Sequence, residues 1–105
     1  MIVVSPKAIR FFEWLLNSKG VRGLAFFPFI FIADIDDMEP ELINHECIHL
    51  RQQLELGVLP FYIWYLIALY RVGYINISFE KEAYANDHDL NYLKNRRIFG
   101  FRRYL

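Results

Sequence analysis

His45-Glu46-Cys47-Ile48-His49 sets two imidazoles four residues apart with a carboxylate directly after the first. On a helix, residues four apart stand one turn above each other on the same face, so both rings reach one metal ion from the same side. Glu46 then lies beside the water such an ion polarises, and in zinc peptidases with H-E-x-x-H the glutamate takes a proton from that water. A shuffled chain of this composition would show the pattern in roughly one of a few hundred arrangements. The spacing therefore predicts Zn²⁺ held by His45 and His49, with Glu46 as the catalytic base.

The motif needs a helix, and the flanking residues supply its signals. Pro40 suits the first helical position, where no backbone N–H is missed, and Glu39 and Glu41 place negative charge at the positive end of the dipole. Gly57 suits the position past the C-terminus, and Pro60 opposes continuation. A helix over Pro40–Leu56 follows. At ~100° per residue, Ile43, Cys47, Leu50 and Leu54 share one stripe, with His45, His49, Gln52 and Leu56 roughly opposite. The expectation is a helix covered on both faces: the first stripe in the core, with Cys47 as a small core residue, and the second holding a polar site that Gln52 or Gln53 lines.

A catalytic zinc usually takes three protein ligands and leaves a fourth position to water. Downstream, Phe79-Glu80-Lys81-Glu82-Ala83-Tyr84-Ala85-Asn86-Asp87 is the segment with suitably clustered carboxylates. Glu80 and Glu82 lie nearly opposite each other on a helix, so one metal takes only one of them. Without a metal, acidic residues in a first helical turn are favourable in their own right. His88 lies well around the helix from Glu80 and reads as a surface histidine, while Tyr84 and Tyr92 are candidate donors to an oxyanion.

Here the chain resembles the gluzincin zinc peptidases, in which H-E-x-x-H is completed by a downstream helical Glu with a small residue three positions later. Glu80 with Ala83 and Glu82 with Ala85 both fit; Glu80-x-Glu82-Ala83 resembles an E-x-E-A segment in which the first Glu is the ligand. The resemblance thus implies His45, His49 and Glu80 on zinc, with Glu82 as the alternate. It extends through Asn44-His45-Glu46, His49-Leu50-Arg51-Gln52-Gln53 and Asp89-Leu90-Asn91-Tyr92-Leu93 to a family of short bacterial proteins with this zinc-metallopeptidase-like motif. Tyr84 or Asn86 stands where many gluzincins place an acidic residue four after the ligand, which leaves the groups that orient the histidines unassigned. The chain also lacks the length for the substrate-binding subdomain of full-size peptidases.

With 105 residues, 55% apolar and 18% aromatic, the chain reads as one folded domain of residues 1–105. A single cysteine rules out an internal disulfide and fits a reducing, cytoplasmic setting. The N-terminus lacks the basic-then-apolar order of a secretory signal. Formal charge is zero, yet Lys94, Arg96, Arg97, Arg102 and Arg103 crowd a basic-aromatic tail from about 96 to 105 that also carries Phe99, Phe101 and Tyr104. Val58 to Tyr70 is the longest apolar run; interrupted by Pro60 and closed by Arg71, it is shorter than the roughly 20 residues that cross a bilayer and reads as a core helix, with an interfacial helix as the alternative.

Other elements follow from punctuation and period. Ser5-Pro6 opens a helix to about residue 18, with Ile9, Phe12, Leu15 and Leu16 inward; Leu24–Ala33, split by Pro28, gives one or two short strands beside the cleft. A helix from about Pro60 to Arg71, an extended connector over Tyr74–Ile77, and a last helix over Phe79–Asn95 capped by Ser78 complete the chain. Inward positions of that last helix are Phe79, Ala83, Leu90 and Leu93. The fold class expected is α+β, mainly helical and minimal zincin-like, with a short β segment beside the motif helix.

Two functions compete. The first is a zinc-dependent metallopeptidase or related amide hydrolase acting on a peptide or protein. The second is a non-catalytic, metal-stabilised module that docks on a membrane or anionic partner through the basic-aromatic tail and Phe26-Phe27-Pro28-Phe29. No nucleic-acid partner is expected, since the tail's cations come without a recognised binding motif.

Overall fold

The computed structural model describes residues 2–16 and 20–105, except the side chain of Leu16. The expected continuation of the first helix over 17–18 lies outside these residues. Strand β1 (Ile2–Val4) leads into α1 (Pro6–Leu16), and β2 (Gly23–Phe26) and β3 (Phe29–Ile32) form a hairpin around a cis Phe27–Pro28 bond. Sheet order is β1-β3-β2, with β1 parallel to β3 and β2 antiparallel to it; Ile30 faces Ile2 on one side and Ala25 on the other. The chain then runs through a 3₁₀ turn (Ile35–Asp37), α2 (Pro40–Leu56), α3 (Val58–Val72), a 3₁₀ turn (Tyr74–Asn76), α4 (Ser78–Asn86), α5 (Tyr92–Asn95) and a final 3₁₀ stretch (Gly100–Tyr104). The result is a mainly helical α+β arrangement with one small sheet.

Helix α2 begins at Pro40 and ends at Leu56, as its punctuation predicts. Gly57, at φ 89°, turns the chain so that α3 leaves at 112°; Pro60 falls in the first turn of α3, where its missing N–H costs nothing. The sheet packs Leu24, Ala25, Ile30 and Ile32 inward, and α2 contributes Ile48 to the buried set. A second cluster joins Phe61 and Tyr65 of α3 to Ile77, Phe79 and Phe101.

Several expectations are corrected. On α2 the buried residues are Asn44, His45, Glu46, Ile48, His49, Gln52 and Gln53, whereas Ile43, Cys47 and Leu50 are half-buried and Leu54 is 59% exposed. The polar side turns inward because α4, β2 and α3 cover it and each polar group there finds a partner, which removes the usual cost of burial. Leu15 is exposed rather than inward. The apolar run is a core helix along one side only: α3 packs Phe61 and Tyr65 into the second cluster and leaves Leu59, Ile63, Leu66, Ile67 and Tyr70 exposed.

Helix α4 stops at Asn86 instead of running to Asn95. The Asn44 amide takes the carbonyls of Asp87 and Asp89 at 2.8 and 3.0 Å, and Asp89 closes a local turn onto Asn91 N–H at 3.0 Å, so these groups do not continue the helical ladder. Leu90 is consequently exposed. Ser78 is the first helical residue and its side chain makes no capping bond; Ile77 occupies the cap position. Tyr74–Asn76 winds as a 3₁₀ turn where an extended connector was expected. The tail is not a free basic segment: Phe101 is buried, and Arg96 is clamped between Glu55 and Glu82 with 1% of its side chain exposed.

Candidate metal centre

Helix α2 projects His45 and His49 toward α4, which returns Glu80 to meet them. Glu80 Oε1 lies 3.1 Å from His45 Nε2 and 3.0 Å from His49 Nε2, and the two Nε2 atoms are 3.2 Å apart. These residues form the described group of buried ligand-type side chains close enough to hold one metal ion. All three are about 5% exposed. The nearly equilateral triangle is close in size to the one three ligands of a tetrahedral site would form, since bonds of about 2.0–2.1 Å give ligand–ligand edges of about 3.3 Å.

The outer nitrogens decide what the inner ones offer. Gln52 donates through Nε2 to the Phe79 carbonyl at 3.1 Å and to Glu82 Oε1 at 2.9 Å, so its amide oxygen must face His49. That oxygen lies 2.8 Å from His49 Nδ1, which therefore carries the proton and donates. Asp87 Oδ2, 3.1 Å from His45 Nδ1, sets the other ring the same way. Both Nε2 lone pairs and a carboxylate oxygen thus converge on one point, a set of acceptors that a cation satisfies.

Without a cation, a proton takes this role. Burial alone would lower His49, but the charge and hydrogen bond of Glu80 outweigh it and raise the imidazole to about 9. Burial likewise works against the Glu80 carboxylate, yet His49 and the hydrogen bonds from both imidazoles hold it well below the usual range. Tyr65, kept protonated by burial and by the Glu80 charge, donates to Glu80 Oε2 at 2.7 Å and fixes the second carboxylate oxygen.

Glu46 sits beside this triangle against β2. Burial raises its carboxyl, a shift that the charges of His49 and His45 and a bond from the Ala25 N–H partly offset. The strand comes close there: a Cβ on Gly23 would stand 3.3 Å from Glu46 Oε2. Gln53 staples the hairpin in place, accepting from Phe27 N–H at 2.7 Å and donating to the Ala25 carbonyl at 2.8 Å, where the Tyr62 hydroxyl also donates. A cavity of about 530 Å³ opens onto His45, Glu46, His49 and Glu80, walled by Gly23–Ala25, Gln53, Tyr62, Tyr65, Tyr74 and Tyr84.

The structure thus brings His45, Glu46, His49 and Glu80 together and sends Glu82 elsewhere, onto Gln52, Tyr92 and Arg96. Tyr84 packs edge-on to His45 with ring centroids 4.5 Å apart and hydrogen-bonds Tyr74 at 2.8 Å, at the cavity wall. Tyr92 is committed to Glu82 at 2.6 Å and takes no place in that wall. Gln53 lines the cavity; Gln52 is fully buried behind it and orients His49 instead. His88 is exposed. Sequence reasoning missed Asp87 and Tyr65. Asp87 lies seven residues after Glu80, two turns along one helix face, which is a usable signal; nothing singles out Tyr65 among seven tyrosines.

No protein-family model, curated protein or solved structure matches this chain. The chemistry of the site therefore carries the functional argument.

Proposed function

We propose that the protein is a minimal, zincin-like zinc-dependent metallopeptidase or related amide hydrolase. The observation that carries this reading is the convergence of two Nε2 lone pairs and one carboxylate oxygen, with both Nδ1–H groups committed outward. Imidazole plus carboxylate suits the borderline-soft Zn²⁺, and His45, His49 and Glu80 would hold it. When bound, the cation supplies Lewis acidity, lowering the pKa of a water and polarising a carbonyl. Three ligands facing an open cavity suit a catalytic site better than a closed structural one.

The chain's own groups account for the proton traffic. Glu46, raised by burial, is the base that takes a proton from water and later returns it to the leaving amine. Asp87 and Gln52 hold the imidazoles with their Nε2 atoms forward, and Tyr65 holds Glu80. Tyr84 or Tyr74, both in the cavity wall, would donate to the oxygen of an attacked carbonyl. The resemblance to the gluzincins and to short bacterial proteins of that type supports the same roles for His45, Glu46, His49 and Glu80.

Metal analysis of the purified chain, with peptide hydrolysis in parallel, tests the proposal. About one zinc per chain is expected, lost in His49→Ala and retained in Glu46→Gln, with hydrolysis abolished in both. Unchanged zinc content in His49→Ala would remove the site; full hydrolysis by Glu46→Gln would remove the mechanism.

A further inference from the structure

Away from the cavity, α1 and α3 carry a face that this fold leaves uncovered. Seen down α3 at ~100° per residue, Leu66, Leu59, Tyr70, Ile63, Ile67 and Trp64 occupy one continuous arc, and each is exposed. No acidic residue occurs anywhere in Val58–Val72; the one charge is Arg71, on the Ile67–Trp64 side of the arc. A helix apolar over its exposed side is one that something apolar covers. Helix α1 repeats the composition: Lys7, Arg10, Phe11 and Trp14 share its outer arc, and Trp14 is 76% exposed.

An apolar groove connects the two helices. Phe12, Leu15 and Phe26 line one side, with Leu59, Tyr62 and Leu66 on the other. Tyr62 presents only its ring there, because its hydroxyl is spent on the Ala25 carbonyl. The hairpin tip adds Phe26 and Phe27, both exposed.

We propose that this α1–α3 face docks the protein on an anionic lipid surface, as a peripheral attachment. Among the described residues no single helix is long and apolar enough to cross a bilayer, so the face lies on the membrane and does not span it. The argument for lipid is charge complementarity: cations (Lys7, Arg10, Arg71) interleave with tryptophan and tyrosine, and no exposed acidic group shares the arc. The acidic residues Glu39, Glu41 and Asp87 gather instead at the catalytic cavity. The basic tail is less suited, since Arg96 and Phe101 are consumed inside the fold.

Vesicle flotation with the full chain tests this, using phosphatidylcholine alone and phosphatidylcholine with about one-third phosphatidylserine. Binding to the mixed vesicles, weakened by salt and accompanied by a blue shift of tryptophan emission, is the expected result. Lys7→Ala with Arg10→Ala should weaken it about fivefold per cation, from the ~1 kcal/mol each contributes near an anionic surface. Phe11→Ser with Trp14→Ser should abolish it; these side chains are exposed, and an unchanged circular dichroism spectrum verifies folding. Absence of flotation with either vesicle, or a wild-type dimer that buries Trp14 and ignores lipid, overturns the proposal. So does loss of binding on replacing Arg97, Arg102 and Arg103 while the α1 variants still float.

Discussion

Gln52 holds His49 in one tautomer: the amide oxygen lies 2.8 Å from His49 Nδ1, and the amide nitrogen is bound to the Phe79 carbonyl and to Glu82. The amide cannot flip without setting its oxygen against two acceptors. Replacing Gln52 with Leu keeps most of the volume and removes the orientation. Loss of such an outer partner typically weakens metal affinity 10–100-fold, so Gln52→Leu is expected to bind zinc in that measure more weakly while Gln53→Leu, which loosens the hairpin, changes affinity less. Competition with a chelating dye reads both; equal affinities for Gln52→Leu and wild type would count against the tautomer argument.

The two carboxylates of α4 separate by effect as well as position. Glu80→Gln removes one of the three proposed zinc ligands and should abolish stoichiometric zinc while the fold survives. Glu82 lies in an ionic cluster with Arg96, Glu55 and Tyr92, its carboxyl held low by hydrogen bonds from Arg96, Tyr92 and Gln52 that outweigh burial. Arg96→Met leaves Glu55 and Glu82 buried without a counter-charge, and breaking a buried pair this way costs about 3–5 kcal/mol. Urea unfolding of the metal-free chain above about pH 9, where the Glu80–His49 pair no longer contributes, should therefore show a large drop for Arg96→Met and a small one for Glu80→Gln.

What could be read from the sequence divides along the same line. His45, Glu46 and His49 are legible because their relation is local: four residues of helix fix it. The helix itself was announced by Pro40 and Gly57. Glu80 needed a family resemblance, because nothing local connects it to His49, 31 residues away. Arg96 was misread for the same reason: its partners Glu82 and Glu55 lie 14 and 41 residues away, and a charged side chain with unseen partners resembles a surface one. The apolar stripe of α2 misled in reverse, since period alone cannot say which face the tertiary structure satisfies with hydrogen bonds.

Ala83 is fully buried in α4, which packs against α2 to bring Glu80 to the histidines. Ala83→Leu inserts three carbons where none fit, an overpacking that typically costs about 1–3 kcal/mol. It should lower both the unfolding midpoint and zinc affinity. Ala85 is exposed, so Ala85→Leu should leave both near wild type; comparable losses in the two variants would refute the packing account.

Acidity should act in opposite directions on the metal-free and zinc-loaded chains. In the metal-free chain His49 is raised from 6.5 to about 9 by Glu80, so the stability this pair contributes is fully present below pH 6.5 and is lost as pH rises through about 9. Glu80, lowered from 4.5, describes the same interaction from the other side, and the contribution fades only as pH falls below 4.5. Zinc must displace the His49 proton, so its affinity should rise about tenfold per pH unit up to about 9 and then level off. Between pH 6.5 and 9 the melting temperature of the metal-free chain should therefore fall, while the stabilisation added by a fixed, buffered free-zinc concentration grows. Calorimetry in two buffers of different ionisation enthalpy should also show close to one proton released per zinc at pH 7. A pH-independent affinity with no proton release would show that His49 is already neutral and that Glu80 does not hold a proton on it.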